Sequence, residues 1–324
     1  MKRVRLSRRS LVIGGLCLAI PAGVFVVTRD RGPLYHGRSA RYWVGQLVRN
    51  ESEARSALLE LGPAAVPALS EAVSKRENAV IESLRPKLPG FVRRRFPGRA
   101  EIQVRRVRAV RVLHDLGTNA APAVPALIAV VDPSDKFYVG YSPRDTLIKI
   151  GEGGVPQLIE VLQSRNPKAR AKAAEYLGLL GDKGGAAASA LGKALDDSNP
   201  LVRKEAVIAL WQIGLPARAA LPQLKAALGR DDDYFRLQVV QALWEIGRET
   251  ELILPILIRE LGDPNNPNRA RAAMILVEMG ASARAAVPTL TKVLREEFSY
   301  TRVKAEEALK KIDQQMAASA SVNP

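Results

Sequence analysis

Apolar positions between residues 51 and 316 recur at the spacing of amphipathic helices, and they do so in blocks. The first stripe of one block consists of Val202, Ala206, Leu210 and Ile213. It ends at Gly214, and glycine suits the left-handed position that follows a helix end. A second stripe consists of Leu221, Leu224 and Leu228, and Pro222 lies in the first turn of that helix, where the missing N–H costs little. The pattern predicts two helices per block, the first of them ending at a glycine.

The blocks repeat every 33 residues in the C-terminal part of the chain. Glycine keeps this register at Gly181, Gly214, Gly247 and Gly280, and arginine keeps it at Arg170, Arg203, Arg236, Arg269 and Arg302. Self-similarity at this period is typical of a solenoid, whose units bury their apolar stripes against their neighbours. We therefore predict an all-α, right-handed α-solenoid of about seven to eight two-helix repeats over residues 51–316.

One repeat carries the pattern Arg203-x-x-Ala206-x-x-Ala209-Leu210-x-x-Ile213-Gly214, followed by Leu221-Pro222-x-Leu224. This pattern resembles HEAT repeats, and it is most similar to the short bacterial HEAT-like kind found in phycobilin lyases. The lead-in at residues 29–50, with Tyr35-His36-Gly37-Arg38 and Tyr42-Trp43, looks like the opening of membrane-anchored bacterial HEAT-like proteins. The resemblance implies a fold and no particular activity.

The resemblance also implies a set of ion pairs. In HEAT-like repeats an acidic residue in the turn between repeats commonly pairs with the arginine of the next helix. The pairs expected here are Asp197 with Arg203, Asp263 with Arg269, and Glu296 with Arg302.

The N-terminal residues predict a membrane anchor. A basic segment, residues 1–10, precedes an apolar segment, residues 11–28, in which Leu11 to Val27 include no charged residue. Seventeen residues lie at the short end of a membrane span. The positive-inside rule places the basic segment in the cytoplasm and the repeats outside, on a single-pass protein of the bacterial inner (cytoplasmic) membrane. Two alternatives are export after cleavage near Ala22 and packing of this segment as a core helix.

The net charge of +16 is concentrated near the N-terminus. Residues 1–41 carry nine basic residues and one acidic residue, whereas residues 132–324 contribute a net charge of only +2. A protein that follows DNA along its length is expected to spread positive charge along one face. This distribution makes nucleic acid an unlikely partner, although a nucleic-acid-binding HEAT-like protein stays the competing hypothesis.

Candidate catalytic chemistry is sparse. The single Cys17 excludes a disulfide framework, and the two histidines, His36 and His114, leave little material for a metal site. No nucleophile–base arrangement or phosphate-binding loop is present in the sequence. We predict no enzyme activity, no cofactor, no metal and no small-molecule substrate. A bilin-lyase-like repeat enzyme or accessory subunit is a further alternative.

A basic insertion at residues 76–103 interrupts the repeats. Ten basic residues and one acidic residue lie between Arg85 and Arg111. The candidate partner-binding residues in this region are Arg93, Arg94, Arg95, Arg99, Arg105 and Arg106. Three interpretations are open: arginines that bond the carbonyls of neighbouring helix ends, contact of residues 85–111 with anionic lipid head groups, or docking of an acidic protein, polysaccharide or nucleic acid.

Three further features complete the prediction. A mild basic stripe on the second helices consists of Lys193, Arg259 and Lys292. A charged C-terminal helix caps the array, and residues 317–324 are expected to fray. The sequence as a whole predicts a non-catalytic binding scaffold at the cell envelope that presents its solenoid surface to a protein or other polymeric partner.

Overall fold

The structure, a computed structural model, describes residues 32–75, 79–93, 97–131, 141–229, 233–296 and 299–322. Across these residues the chain is helical, and an isolated backbone bridge between Tyr35 and Arg38 is the one extended contact. The basic segment 1–10 and the apolar segment 11–28 lie outside the described residues, as do Arg94 and Arg95.

The α-helices of the N-terminal half are, in chain order, α1 (Ala40–Gln46), α2 (Glu51–Leu61), α3 (Val66–Ser74), α4 (Ala79–Leu84), α5 (Gly90–Arg93), α6 (Arg99–Leu116), α7 (Val124–Val130), α8 (Pro143–Ile150) and α9 (Val155–Val161). Those of the C-terminal half are α10 (Pro167–Leu179), α11 (Ala188–Ala194), α12 (Pro200–Ile213), α13 (Leu221–Ala227), α14 (Asp233–Gly247), α15 (Thr250–Gly262), α16 (Arg269–Met279), α17 (Val287–Val293) and α18 (Tyr300–Val322).

These helices form stacked pairs. The first helices of the pairs, called helices A, are α2, α6, α8, α10, α12, α14 and α16, and the second helices, called helices B, are α3, α7, α9, α11, α13, α15 and α17. Each helix A packs against the next helix A, and one core cluster runs continuously from Trp43 to Ile312. The predicted α-solenoid is confirmed, and seven two-helix pairs lie within the described residues.

A sharp turn joins helix A to helix B. Gly214 has φ 68° and ψ −137°, and Gly280 has φ 55° and ψ −130°. The positive φ agrees with the prediction, but ψ places both residues in the mirror image of the β region instead of the left-handed helical region. Only glycine adopts that conformation without a clash of Cβ with the backbone. A short 3₁₀ segment follows the turn, as in Gly280–Ala286.

The ends of the array are covered by single helices. At the N-terminal end α1 packs on α2 and α3, and the buried Trp43 donates from Nε1 to the carbonyl of Tyr35 over 3.2 Å. At the C-terminal end α18 packs on α16 and α17. This helix continues to Val322. Residues 317–322, for which fraying is expected, belong to this helix and are rich in alanine, the strongest helix former.

Among the described residues, one stretch, Arg269–Val293, has the length and apolar composition of a membrane-spanning helix. In this fold it comprises α16 and α17 with the turn at Gly280 between them, and both helices contribute side chains to the core.

Candidate functional site

The basic insertion lies beside the stack and does not interrupt it. Helix α3 of the first pair packs directly on α6 and α7 of the second pair, although the insertion separates them in sequence. The insertion forms α4, a 3₁₀ turn at Arg85–Lys87, and α5. Helix A of the second pair begins at Arg99, so the insertion ends at Gly98. Stacking of the repeats does not require these residues.

Two arginines of α6 bond the ends of neighbouring helices. Arg106 donates from Nε to the carbonyl of Val73 over 3.0 Å and from Nη2 to the carbonyl of Lys75 over 2.6 Å, at the end of α3. Arg108 donates from Nη1 to the carbonyl of Leu47 over 2.6 Å, just after α1. These carbonyls have no partner within their own helix. These contacts agree with the interpretation that Arg106 and Arg108 bond the carbonyls of neighbouring helix ends and so stabilise the stack.

Other cations of α6 pair with carboxylates. Arg105 lies 2.7 Å from Glu101, and its side chain is largely buried. Arg108 lies 2.8 Å from Glu51, which also receives Arg111 at 3.5 Å. The C-terminal part of the basic cluster is thus occupied by contacts within the protein.

Three other cations of the region, within the described residues, are exposed to solvent. Arg93 and Arg99 are exposed, as is Lys87. Arg85 lies against Gly98, where a Cβ atom would come within 2.9 Å of its guanidinium carbon. The side chain of Arg85 therefore folds back close to the start of α6.

An apolar groove separates α4 from α6. Its volume is about 700 Å³, and its floor is formed by one stripe of α6: Ala100, Val104 and Val107. Glu82 of α4 and the two cations Arg99 and Arg108 stand at its edges. Glu82 also accepts the backbone N–H of Arg99 over 3.3 Å. The groove was not predicted from sequence, because it forms only when the insertion folds back on α6.

The predicted stripe on helices B consists of exposed residues. Lys193 on α11 and Lys292 on α17 face solvent. Arg259 on α15 is also exposed and pairs with the buried Glu260 over 2.9 Å. The stripe and the insertion lie in different parts of the array.

The two tryptophans in repeat register have different surroundings. Trp244 is buried, with the guanidinium carbon of Arg248 4.4 Å from the centre of its ring. Trp211 is 38% exposed and lines a cleft of about 230 Å³ with Gln238 and Gln241 of the next helix A. Trp244 is thus part of the core, whereas Trp211 borders a cleft at the surface.

The ion pairs connect other partners than the resemblance implied. Asp197 binds Arg170, 27 residues earlier, with Nε–Oδ2 at 2.7 Å and Nη2–Oδ1 at 2.8 Å. Glu296 binds Arg269 in the same way at 2.6 and 2.8 Å. The guanidinium of the partner lowers the pKa of each carboxyl.

Two of the arginines expected to pair with these carboxylates, Arg203 and Arg302, donate to backbone carbonyls instead. Arg203 donates from Nη1 to the carbonyl of Asp197 over 2.9 Å, and Arg302 donates to the carbonyl of Glu296 over 3.3 Å. The third expected partner, Arg269, is occupied by Glu296, while Asp263 accepts from the N–H of Asn265. The expected side-chain pairs Asp197–Arg203, Asp263–Arg269 and Glu296–Arg302 are therefore wrong. The physical reason is that Asp197 and Glu296 fold back to the start of their own repeats, at Arg170 and Arg269, and that Arg236 at the start of the repeat of Asp263 pairs with Glu260 instead.

Comparison with protein families supports this repeat architecture. Residues 155–244, which include α9 to most of α14, match the family described as HEAT repeats. The chain is a HEAT-like repeat protein. No curated protein matches the sequence.

Solved structures resemble the HEAT array only distantly. An engineered protein solved by the Northeast Structural Genomics Consortium is 18% identical, with 85% of this chain and 94% of that chain covered and a TM-score of 0.43. The complex of CpcE and CpcF of phycocyanin lyase from Nostoc sp. PCC7120 is 19% identical, with coverages of 87% and 96% and a TM-score of 0.34. Similarity at this level does not bear on activity.

Within the described part of the HEAT array, no three His, Cys, Asp or Glu side chains come together as a group that could hold a metal ion.

Proposed function

We propose that this HEAT-like protein is a non-catalytic scaffold that binds a protein partner at the bacterial cell envelope. The supporting observation is the basic insertion: it leaves the contact of α3 with α6 intact, and it places Lys87 and Arg93 in solvent. HEAT-type solenoids offer extended surfaces for binding. Because the insertion lies on the surface and does not contribute to the contact of α3 with α6, its exposed side chains are available to bind a specific partner.

The location is part of the same proposal. The apolar segment 11–28 tethers the protein to the cytoplasmic membrane, and the array lies on the outer side. Support comes from the five basic residues that precede the apolar run, since positive charge favours retention in the cytoplasm.

Protease treatment of spheroplasts that carry a C-terminally tagged protein tests the location. Digestion of the tag in intact spheroplasts is the expected result. Protection of the tag until lysis contradicts the outer location and makes cytoplasmic nucleic acid or cytoplasmic-leaflet lipid the partner to test for the insertion.

Site-directed photo-crosslinking in cells tests the scaffold. A photoreactive amino acid at position 93, in the exposed part of the insertion, is expected to give one discrete protein adduct. The same amino acid at position 284, also exposed but on the seventh pair, is the matched control. Equal adduct patterns at both positions, or adducts to nucleic acid alone, contradict the proposal.

A further inference from the structure

The lead-in before the first repeat carries a chain of aromatic rings. The rings of Tyr35 and Trp43 meet edge to face, with their centres 5.9 Å apart. His36 extends this cluster beyond Tyr35 at 4.3 Å, and Tyr42 extends it beyond Trp43 at 5.1 Å. Phe, Trp and Tyr make up only 5% of the chain, yet three of them lie within residues 35–43. The lead-in is therefore rich in aromatic side chains for this protein.

Only part of this aromatic cluster covers the end of the array. Trp43 is buried and belongs to the core cluster. Tyr42 is 40% exposed, Leu34 is 58% exposed, and His36 is also exposed. The exposed Arg38 lies over the ring of Tyr42, with its guanidinium carbon 4.9 Å from the ring centre. We call the four exposed residues Leu34, His36, Arg38 and Tyr42 the lead-in surface.

Positive charge accompanies the apolar side chains of the lead-in surface. Residues 32–50 include three arginines, Arg38, Arg41 and Arg49, and no acidic residue. Arg41 pairs with Glu71 of α3 over 3.2 Å, so the charge of that arginine is balanced within the protein. Arg38 is the cation that stands beside Tyr42. A basic side chain near anionic lipid head groups contributes about 1 kcal/mol to membrane binding.

The apolar segment 11–28 limits where the lead-in surface can lie. Thr28 is six residues from Leu34, and an extended chain spans at most about 3.6 Å per residue, so Leu34 is no more than about 22 Å from the end of the segment. The head-group layer on each side of a bilayer is about 5–8 Å thick. Since the segment spans the membrane in the proposed function, this short connection presents the lead-in surface to the bilayer at high effective concentration.

We propose that the lead-in surface lies in the lipid head-group layer next to segment 11–28 and holds the N-terminal end of the array against the membrane. Leu34 and Tyr42 enter the boundary between head groups and acyl chains, where tyrosine is enriched because it has an apolar ring and a polar hydroxyl. Arg38 meets lipid phosphate. This proposal rests on the membrane anchor of the proposed function. It does not depend on the side of the membrane, because the lead-in adjoins the segment in either orientation.

Fluorescence quenching by brominated lipid tests the proposal on the full chain in nanodiscs. The single native cysteine is replaced by Cys17→Ala, and a bimane fluorophore is attached at Ser39→Cys, beside the lead-in surface. The side chain of Ser39 makes no capping hydrogen bond to α1, so the label disturbs no such contact. Ser198→Cys, at an exposed serine in the turn after α11, is the control site. Lipids brominated close to the head group quench fluorophores that reach this layer.

We expect the label at position 39 to lose fluorescence in brominated nanodiscs and the label at position 198 to keep it. Leu34→Glu with Tyr42→Glu should abolish the loss at position 39, because carboxylates are repelled by anionic lipid and do not enter the acyl boundary. Leu215→Glu with Tyr300→Glu, at residues 57% and 59% exposed, is the matched control and should leave the loss unchanged. Arg38→Gln should weaken the contact about fivefold in phosphatidylglycerol and leave it unchanged in phosphatidylcholine.

Failure of the anchor and failure of the lead-in surface give different results. If the chain does not co-elute with nanodiscs, the anchor fails and this proposal fails with it. If the chain co-elutes but position 39 keeps its fluorescence, the lead-in surface does not reach the head groups, although the anchor stands. Quenching at position 39 that survives both Leu34→Glu with Tyr42→Glu and Arg38→Gln also overturns the proposal, because proximity to the anchor alone then explains it. Circular dichroism of each variant checks that the helices remain folded.

Discussion

Arg170 and Asp197 form a bidentate ion pair that joins the two ends of one HEAT-like repeat. Arg170 lies in the first turn of α10, and Asp197 lies in the turn that follows α11. The backbone carbonyl of Asp197 accepts from Arg203 of the next helix A. One turn residue therefore closes its own repeat through its side chain and contacts the next repeat through its backbone. Arg269, Glu296 and Arg302 repeat this arrangement at the C-terminal end.

Asp197→Asn is expected to destabilise the array. The Arg170 and Asp197 side chains are only 15% and 12% exposed, so the amide leaves a partly buried guanidinium without its counter-charge. The expected loss is about 1–3 kcal/mol, the range for hydrogen bonds between charged groups. Urea unfolding followed by circular dichroism measures it. Asp182→Asn, at an exposed aspartate in the 3₁₀ segment after α10, is the control, and equal midpoints for the two variants contradict the prediction.

The pH dependence of stability should have opposite signs at two carboxyls. Arg170 lowers the pKa of Asp197, so this group contributes stability above the ordinary aspartate pKa of about 4, and the contribution is lost as pH falls through the lowered value. Burial raises the pKa of Glu205, so its contribution is present below the ordinary glutamate pKa of about 4.3 and is lost as pH rises through the raised value.

Glu205→Gln should therefore be more stable than wild type at about pH 7, with a higher midpoint of urea unfolding, and equal to it at about pH 3. Asp197→Asn should be less stable than wild type at about pH 7 and approach it at about pH 3. Unfolding in urea at both pH values measures the stability of each variant relative to wild type. If both variants change in the same direction between the two pH values, the opposite pKa shifts of Asp197 and Glu205 do not explain the result.

Gly178 is expected to tolerate no side chain, because α10 and α12 approach closely there. A Cβ at this position would lie 2.8 Å from Cα of Ala209, a backbone atom that cannot rotate away. Gly178→Ala should cost about 1–3 kcal/mol by overpacking. Gly45→Ala on α1 meets nothing within 4 Å and should be neutral or stabilising by up to about 1 kcal/mol. Thermal unfolding of both variants compares them, and a neutral Gly178→Ala argues against close helix contact.

Helices and turns depend on the spacing of residues within one repeat and were predictable from the sequence. Contacts between residues that are far apart in sequence, which form only when the chain folds back, were not. The 33-residue register placed the turns at Gly181, Gly214 and Gly280 correctly, because each of these glycines ends helix A within its own repeat, whereas after Gly247 the positive φ lies on Arg248. The ion pairs were assigned wrongly because Asp197 and Arg203 are close in sequence, whereas Arg170 is close only after helix B folds back. The groove over Val104 needed the insertion to fold against α6, and no periodic pattern encodes that contact.

The arginines of the basic cluster should separate into structural and binding residues. Arg106→Gln removes a charged donor from the carbonyls of Val73 and Lys75, so we expect the melting temperature to fall by roughly 2–4 °C. Its affinity for peptides selected from a displayed random library against the wild-type chain should not change. Arg93→Gln should weaken peptide binding and leave the melting temperature unchanged, because this side chain is exposed. Differential scanning fluorimetry and fluorescence anisotropy measure the two properties on the same preparations. If Arg106→Gln weakens binding without loss of stability, the end of α3 belongs to the partner site and not to the contacts that stabilise the stack.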